Sequence, residues 1–126
     1  MNLEKLEIVS TSDTPSVVLD AVTGVFEIKG RSLPENAHTF YQPVKEWVSE
    51  YMKSPNPKTE FVFHLDYFNS STIGKLVDIL MLLEEIFESG KKVDVVWYYA
   101  KNDLVMEDRA EEIGSFVNLP VRLENF

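Results

Sequence analysis

The densest run of chemistry-bearing side chains in this 126-residue chain is Asp66-Tyr67-Phe68-Asn69-Ser70-Ser71-Thr72-Ile73-Gly74-Lys75. Three hydroxyls stand in a row behind an amide. An apolar, strand-like stretch precedes them and a helical pattern follows, so the run falls where a buried strand gives way to a helix. Capping is one use for such residues. Asn, Ser and Thr are preferred N-caps because their side-chain oxygens accept hydrogen bonds from free helix N–H groups. One cap would suffice, yet four candidates stand together, and no Glu or Gln occupies a capping-box position to explain the spacing. Phosphoryl acceptance is the other use. A phosphate here would face the unpaired N–H groups and the positive end of the helix dipole. It would add about −1.5 to −2 charge at pH 7. On this reading Ser70, Ser71 and Thr72 all stand open as acceptors.

Catalytic constellations are scarce elsewhere. The two histidines are His38, near a helix start, and His64, inside an apolar strand between Phe63 and Leu65. A histidine in that setting reads as a hydrogen-bonded structural residue. No His-x-x-x-His or Glu-x-x-His pair suggests a metal site. No glycine-rich phosphate loop and no Gly-x-Ser-x-Gly elbow is present. Glu84, Glu85 and Glu88 read as a solvated helix face. No catalytic residue and no cofactor is expected. The competing reading from another class is a small enzyme or ligand-binding domain that uses His64 and Asp66 near the strand end, within a concave pocket. A homodimeric scaffold built on the second helix is a further one.

Composition narrows the classes. Lys and Arg number 12 against 21 Asp and Glu, a formal charge of −9, which argues against nucleic-acid binding and against docking on anionic lipid. Hydrophobic residues make up 44% of the chain, enough for one core spanning residues 1–126. The chain has no cysteine, so thiolate chemistry and disulfides are excluded. The start of the chain carries no targeting signal. The longest apolar stretch, Ile79-Leu80-Met81-Leu82-Leu83, is far short of the about 20 residues a membrane helix needs. The chain reads as soluble and cytoplasmic.

The elements that must position the hydroxyl run follow from periodicity. Asn2 to Ile8 is a short strand or a lead-in. Ser16–Asp20 and Val25–Gly30 flank a glycine turn and predict an antiparallel hairpin. A first helix spans about Asn36 to Met52, with Pro43 either in its first turn or kinking it. Glu60–Phe68 is apolar on both sides and predicts a central strand covered on both faces. A second helix runs from Ser70 to Glu88, a strand from Lys92 to Ala100, and a third helix from Asp103 to Val117. A last strand, Leu119 to Leu123, carries Pro120 and so belongs at an edge. The order β-β-α-β-α-β-α-β predicts an α/β domain with a mixed sheet, antiparallel at the hairpin and parallel beyond it. The second helix has more than one apolar stripe, either buried under a neighbour helix or left as a docking surface.

At the hydroxyl run the chain resembles the switch segment of STAS-type anti-sigma-factor antagonists, and it is similar to the SiaC family of bacterial regulatory phosphoproteins, which are STAS-like. The matching segments are Leu33-Pro34-Glu35-Asn36, Phe40-Tyr41-x-Pro43 with Trp47, Asp66 to Thr72, Leu83-Glu84, and Val96-Trp97-Tyr98-Tyr99. The resemblance implies a single STAS-like domain. It implies a phosphorylated residue directly after the Asn, a threonine in the family and Ser70 here, with Ser71 and Thr72 as alternatives. Asp66, Tyr67, Phe68, Asn69, Ile73 and Lys75 would form the switch and partner surface around it. A Ser/Thr kinase of the anti-sigma-factor type would add the phosphate, and a metal-dependent Ser/Thr phosphatase would remove it. The unphosphorylated form would bind and activate a diguanylate cyclase, raising cyclic di-GMP and favouring biofilm formation. In that form the free hydroxyls would cap the helix.

Overall fold

A computed structural model describes residues 3–126. The chain runs β1 (Leu6–Ile8), β2 (Ser16–Asp20), β3 (Val25–Ser32), α1 (Ala37–Tyr51), β4 (Lys58–Phe68), α2 (Ser70–Glu88), β5 (Lys92–Tyr99), α3 (Leu104–Gly114) and β6 (Val121–Asn125). The lead-in does contain a short strand, β1; Asn2 lies outside the described residues. The indole of Trp47 donates to the carbonyl of Glu4 at 2.7 Å and ties that segment to α1.

The six strands form one sheet in the order β1-β2-β3-β4-β5-β6. β1, β2 and β3 pair antiparallel, and β3 through β6 pair parallel, so the sheet is mixed as the sequence implies. The hairpin turns at Gly24, whose φ of 78° suits a residue without Cβ. Asp20 Oδ1 accepts from the Val22 amide at 3.0 Å and fixes the turn.

Because strand order follows chain order, each parallel crossover steps the same way across the sheet. Right-handed crossovers then place α1, α2 and α3 on one face. This overturns the expectation that β4 is covered on both sides. Phe61, Phe63 and Leu65 are buried under the helices, whereas Glu60 and Asp66 are exposed and Val62 and His64 only half-buried on the opposite face. Val96 is buried on that face but stands outside the main core.

Aromatic rings carry much of the core. Trp47 and Tyr51 of α1 pack on Phe26, Phe63 stacks on Trp97 with centroids 5.0 Å apart, and Phe68 meets Trp97 edge-on. Pro43 falls past the first turn of α1, and the helix continues through it. Its exposed side leaves the unpaired Thr39 carbonyl toward water, which limits the cost. α2 lies between α1 and α3, so the flanking helices cover its extra apolar stripes. Ile73, Val77 and Leu82 pack against the core, and Met81 and Phe87 stay exposed.

α3 ends at Gly114, before the Val117 expected, and β6 starts only at Val121. Pro120 thus precedes β6 and removes no ladder hydrogen bond. β6 is an edge strand, paired to β5 alone. No helix among the described residues is long and apolar enough to cross a membrane.

Candidate functional site

A one-residue irregularity in β4 sets the geometry of the hydroxyl run. Gly30 of β3 pairs with Leu65, but Arg31 pairs with Tyr67, so Asp66 is left over as a bulge. The extra residue shifts the alternation by one. Phe68, not Tyr67, then points under the helices, opposite Ser32. The strand ends with the Asn69 amide donating to the Ser32 carbonyl at 3.0 Å.

Asn69 is the N-cap residue of α2, extended at φ −88° and ψ 170°. Its side chain makes no cap hydrogen bond. Asn69 Oδ1 instead accepts from Ser71 Oγ at 2.8 Å and Thr72 Oγ1 at 3.0 Å. The expectation that free hydroxyls cap this helix is therefore corrected. Ser71 and Thr72 hydrogen-bond to the amide side chain, and Thr72 also to β3, because β3 brings its own acceptors alongside the first turn. The caps that do form stand elsewhere: Asn36 accepts from the Thr39 amide and Asp103 from the Met106 amide.

Thr72 is fully buried and belongs to a relay. Its hydroxyl lies 3.2 Å from the Ser32 carbonyl and 2.8 Å from Ser32 Oγ. Ser32 Oγ is in turn 2.6 Å from the Tyr41 hydroxyl. Counting donors fixes the directions. Carbonyl oxygens only accept, so the single Thr72 proton goes to Asn69 or Ser32 oxygen. Ser32 then donates to Thr72, and Tyr41 donates to Ser32. Burial pushes the Tyr41 phenol up to about 12, and the Ser32 hydroxyl, free to turn and donate to a phenolate, offsets part of that rise. The unfolded phenol ionises near 10, so stability from this group is complete below pH 10 and lost as pH climbs toward 12. Denaturant titrations at pH 9 and pH 11.5 are expected to show this loss, and Tyr41→Phe should reduce it.

The candidate residues separate clearly. Ser70 is the first residue of α2, exposed, and its side chain makes no hydrogen bond among the described residues. Ser71 is exposed but held by Asn69. Asp66 is exposed in the bulge, and Tyr67 is 48% exposed beneath the Arg31 guanidinium, 5.8 Å from its ring centre. Ile73 and Lys75 are half-buried, and Lys75 Nζ sits 3.5 Å from His38 Nδ1. Phe68, expected on the partner surface, is 1% exposed and belongs to the core, because the bulge turns it inward.

His64 does not join the cluster. It lies on the helix-free face, against Tyr98 and edge-on to Phe126 at 4.7 Å. It forms no side-chain hydrogen bond among the described residues, so it is held by aromatic packing rather than by the polar partner expected. One residue that sequence reasoning missed does join. Arg109 of α3 places its guanidinium 5.2 Å over the Phe68 ring. With Phe68, Ile73, Glu112 and Ile113 it lines a cavity of about 180 Å³ beside the start of α2. Its signal was present: Arg109 is the sole cation in α3, among Glu107, Asp108, Glu111 and Glu112.

Comparison with known proteins agrees with this arrangement. The family described as "SiaC family regulatory phosphoprotein" matches residues 8–126. An uncharacterized protein of Pseudomonas aeruginosa (strain UCBPP-PA14) is 30% identical, with 97% of each chain covered. The crystal structure of apo-SiaC from P. aeruginosa superposes with a TM-score of 0.88 at 30% identity, covering 96% of this chain and 98% of that one. The structure of the P. aeruginosa diguanylate cyclase SiaD in complex with its activator SiaC matches with the same TM-score and identity, covering 96% of this chain and 99% of that one. With the family matched over residues 8–126 and the fold superposing over nearly its whole length, this chain belongs to the SiaC family of regulatory phosphoproteins.

Proposed function

We propose that this chain is a partner-switching protein without catalysis of its own, which binds and activates a diguanylate cyclase until Ser70 is phosphorylated. The observation that carries this reading is the unequal state of the three hydroxyls. Thr72 is buried in the relay, Ser71 is engaged by Asn69, and Ser70 is exposed and uncommitted. A kinase active site needs an acceptor hydroxyl it can reach without unfolding the substrate. Ser70 meets that need at the least cost.

A related activator, SiaC, is seen bound to a diguanylate cyclase, and that supports a cyclase as the partner class here. A Ser/Thr kinase of the anti-sigma-factor type adds the phosphate, and a metal-dependent phosphatase removes it. The chain already carries a formal charge of −9, and a further dianion at the docking face must be desolvated or matched by partner cations. Binding is then lost with no refolding.

Phosphopeptide mass spectrometry on the protein purified from its native cell tests the site. Phosphate is expected on the Ser70 peptide fragment ions. Phosphate confined to Ser71 or Thr72, or none when a Ser/Thr kinase of the anti-sigma-factor type from the same cell is co-expressed, would overturn the assignment.

A further inference from the structure

We infer that Arg109 is an intramolecular receptor for the phosphate of phosphorylated Ser70, an inference that rests on the switch reading above. Arg109 Nη1 is buried without a hydrogen-bond partner, and no carboxylate forms an ion pair with this guanidinium among the described residues. A buried guanidinium N–H that lacks an acceptor is costly, and such groups call for an explanation. Arg109 turns inward over Phe68 rather than pairing with Glu112, the one carboxylate of α3 at neighbouring helical spacing. Glu112 lines the same cavity but is exposed and not paired with it.

Ser70 stands one helical turn before the cavity. Ile73, one of its lining residues, lies three positions after Ser70, and residues so spaced are neighbours on a helix surface. Gly74, four positions after Ser70, adds no side chain, and a Cβ placed there would meet nothing within 4 Å. The turn that follows Ser70 thus offers open space at Gly74 and, at Ile73, the wall of the cavity that Arg109 also lines. Guanidinium and phosphate match in a two-pronged, charge-assisted pair. Phosphorylation would then do more than add charge. It would draw α2 and α3 together across the cavity and close an apolar recess floored by Phe68 and Ile113 that an unphosphorylated chain leaves open.

The test installs phosphoserine at position 70 of the full chain by codon suppression, with phosphoserine at position 71 as a second protein. Phosphorus NMR follows the second ionisation of each phosphate. Both phosphates feel the same helix end, but only that on Ser70 is placed to meet Arg109. The Ser70 phosphate is expected to titrate roughly one pH unit below the Ser71 phosphate. R109Q should erase the difference, and R109K should keep part of it. Equal titration of the two phosphates, or an Arg109-independent difference, would overturn the inference. If R109Q does not fold, the comparison of the two phosphates and R109K still decide. The phosphate is installed without a kinase, so failure here is distinct from failure to find phosphorylated Ser70 in cells.

Discussion

Ser70→Asp is expected to weaken binding to the proposed cyclase partner by about tenfold to a hundredfold, about 1.4–3 kcal/mol, while Ser70→Ala binds like the native chain. The argument is electrostatic and local. The Ser70 hydroxyl makes no hydrogen bond among the described residues, so removing it disturbs neither the α2 start nor the relay behind it. Aspartate adds one full charge at the docking face of a chain whose formal charge is already −9. A single carboxylate has less charge than a phosphate and a shorter reach, so its effect is a lower bound on that of the modification. Isothermal titration of both variants against the cyclase reads the result. Equal affinities would remove Ser70 from the interface.

Ser32→Ala is expected to cost about 2–4 kcal/mol of folding stability, because it strands the buried Tyr41 hydroxyl and takes a donor from Thr72. Tyr41→Phe alone should cost less, since Ser32 still donates to Thr72. In the double variant no phenol remains to be stranded, so its loss should fall below the sum of the two single losses. Urea denaturation of the three proteins measures the cycle. Strict additivity would mean that the relay is not a unit. A value for Ser32→Ala within about 0.5 kcal/mol of native would show that these bonds carry no stability.

Local chemistry made part of this site legible. Asn69 ahead of an apolar helical pattern places the start of α2 where the structure has it, and the hydroxyl run marks the site. The relay was not legible, because Ser32 and Thr72 lie 40 positions apart and meet only through the parallel pairing of β3 with β4. Nor was the fate of the hydroxyls. Capping propensity describes an isolated helix end, and here the backbone of β3 supplies competing acceptors. Phe68 was placed on the partner surface with its neighbours in the matching segment, whereas the bulge at Asp66 turns Phe68 inward and Tyr67 outward. The helix-free face was missed for a related reason. Val62 and His64 look apolar enough to be covered, but the side on which helices fall is fixed by strand order, a property of the whole sheet. His64 was given a polar partner on the strength of its neighbours in sequence, whereas its contacts, Tyr98 and Phe126, come from another strand and from the end of the chain.

The leftover Asp66 gives the end of β4 a tolerance of length that the next segment lacks. Were Asp66 deleted, Leu65, Tyr67 and Phe68 could still pair with Gly30, Arg31 and Ser32, the alternation would become regular, and Phe68 would still face inward. Beyond Phe68 there is no such slack. Were Asn69 deleted, Ser70 would take the place whose amide meets the Ser32 carbonyl, and Ile73 would take the buried place of Thr72. Exchange of one exposed side chain between Phe68 and Thr72 alters a single contact. A change of one residue in its length displaces the buried Thr72 and the exposed Ser70 together, so gaps there would be selected against more strongly than substitutions.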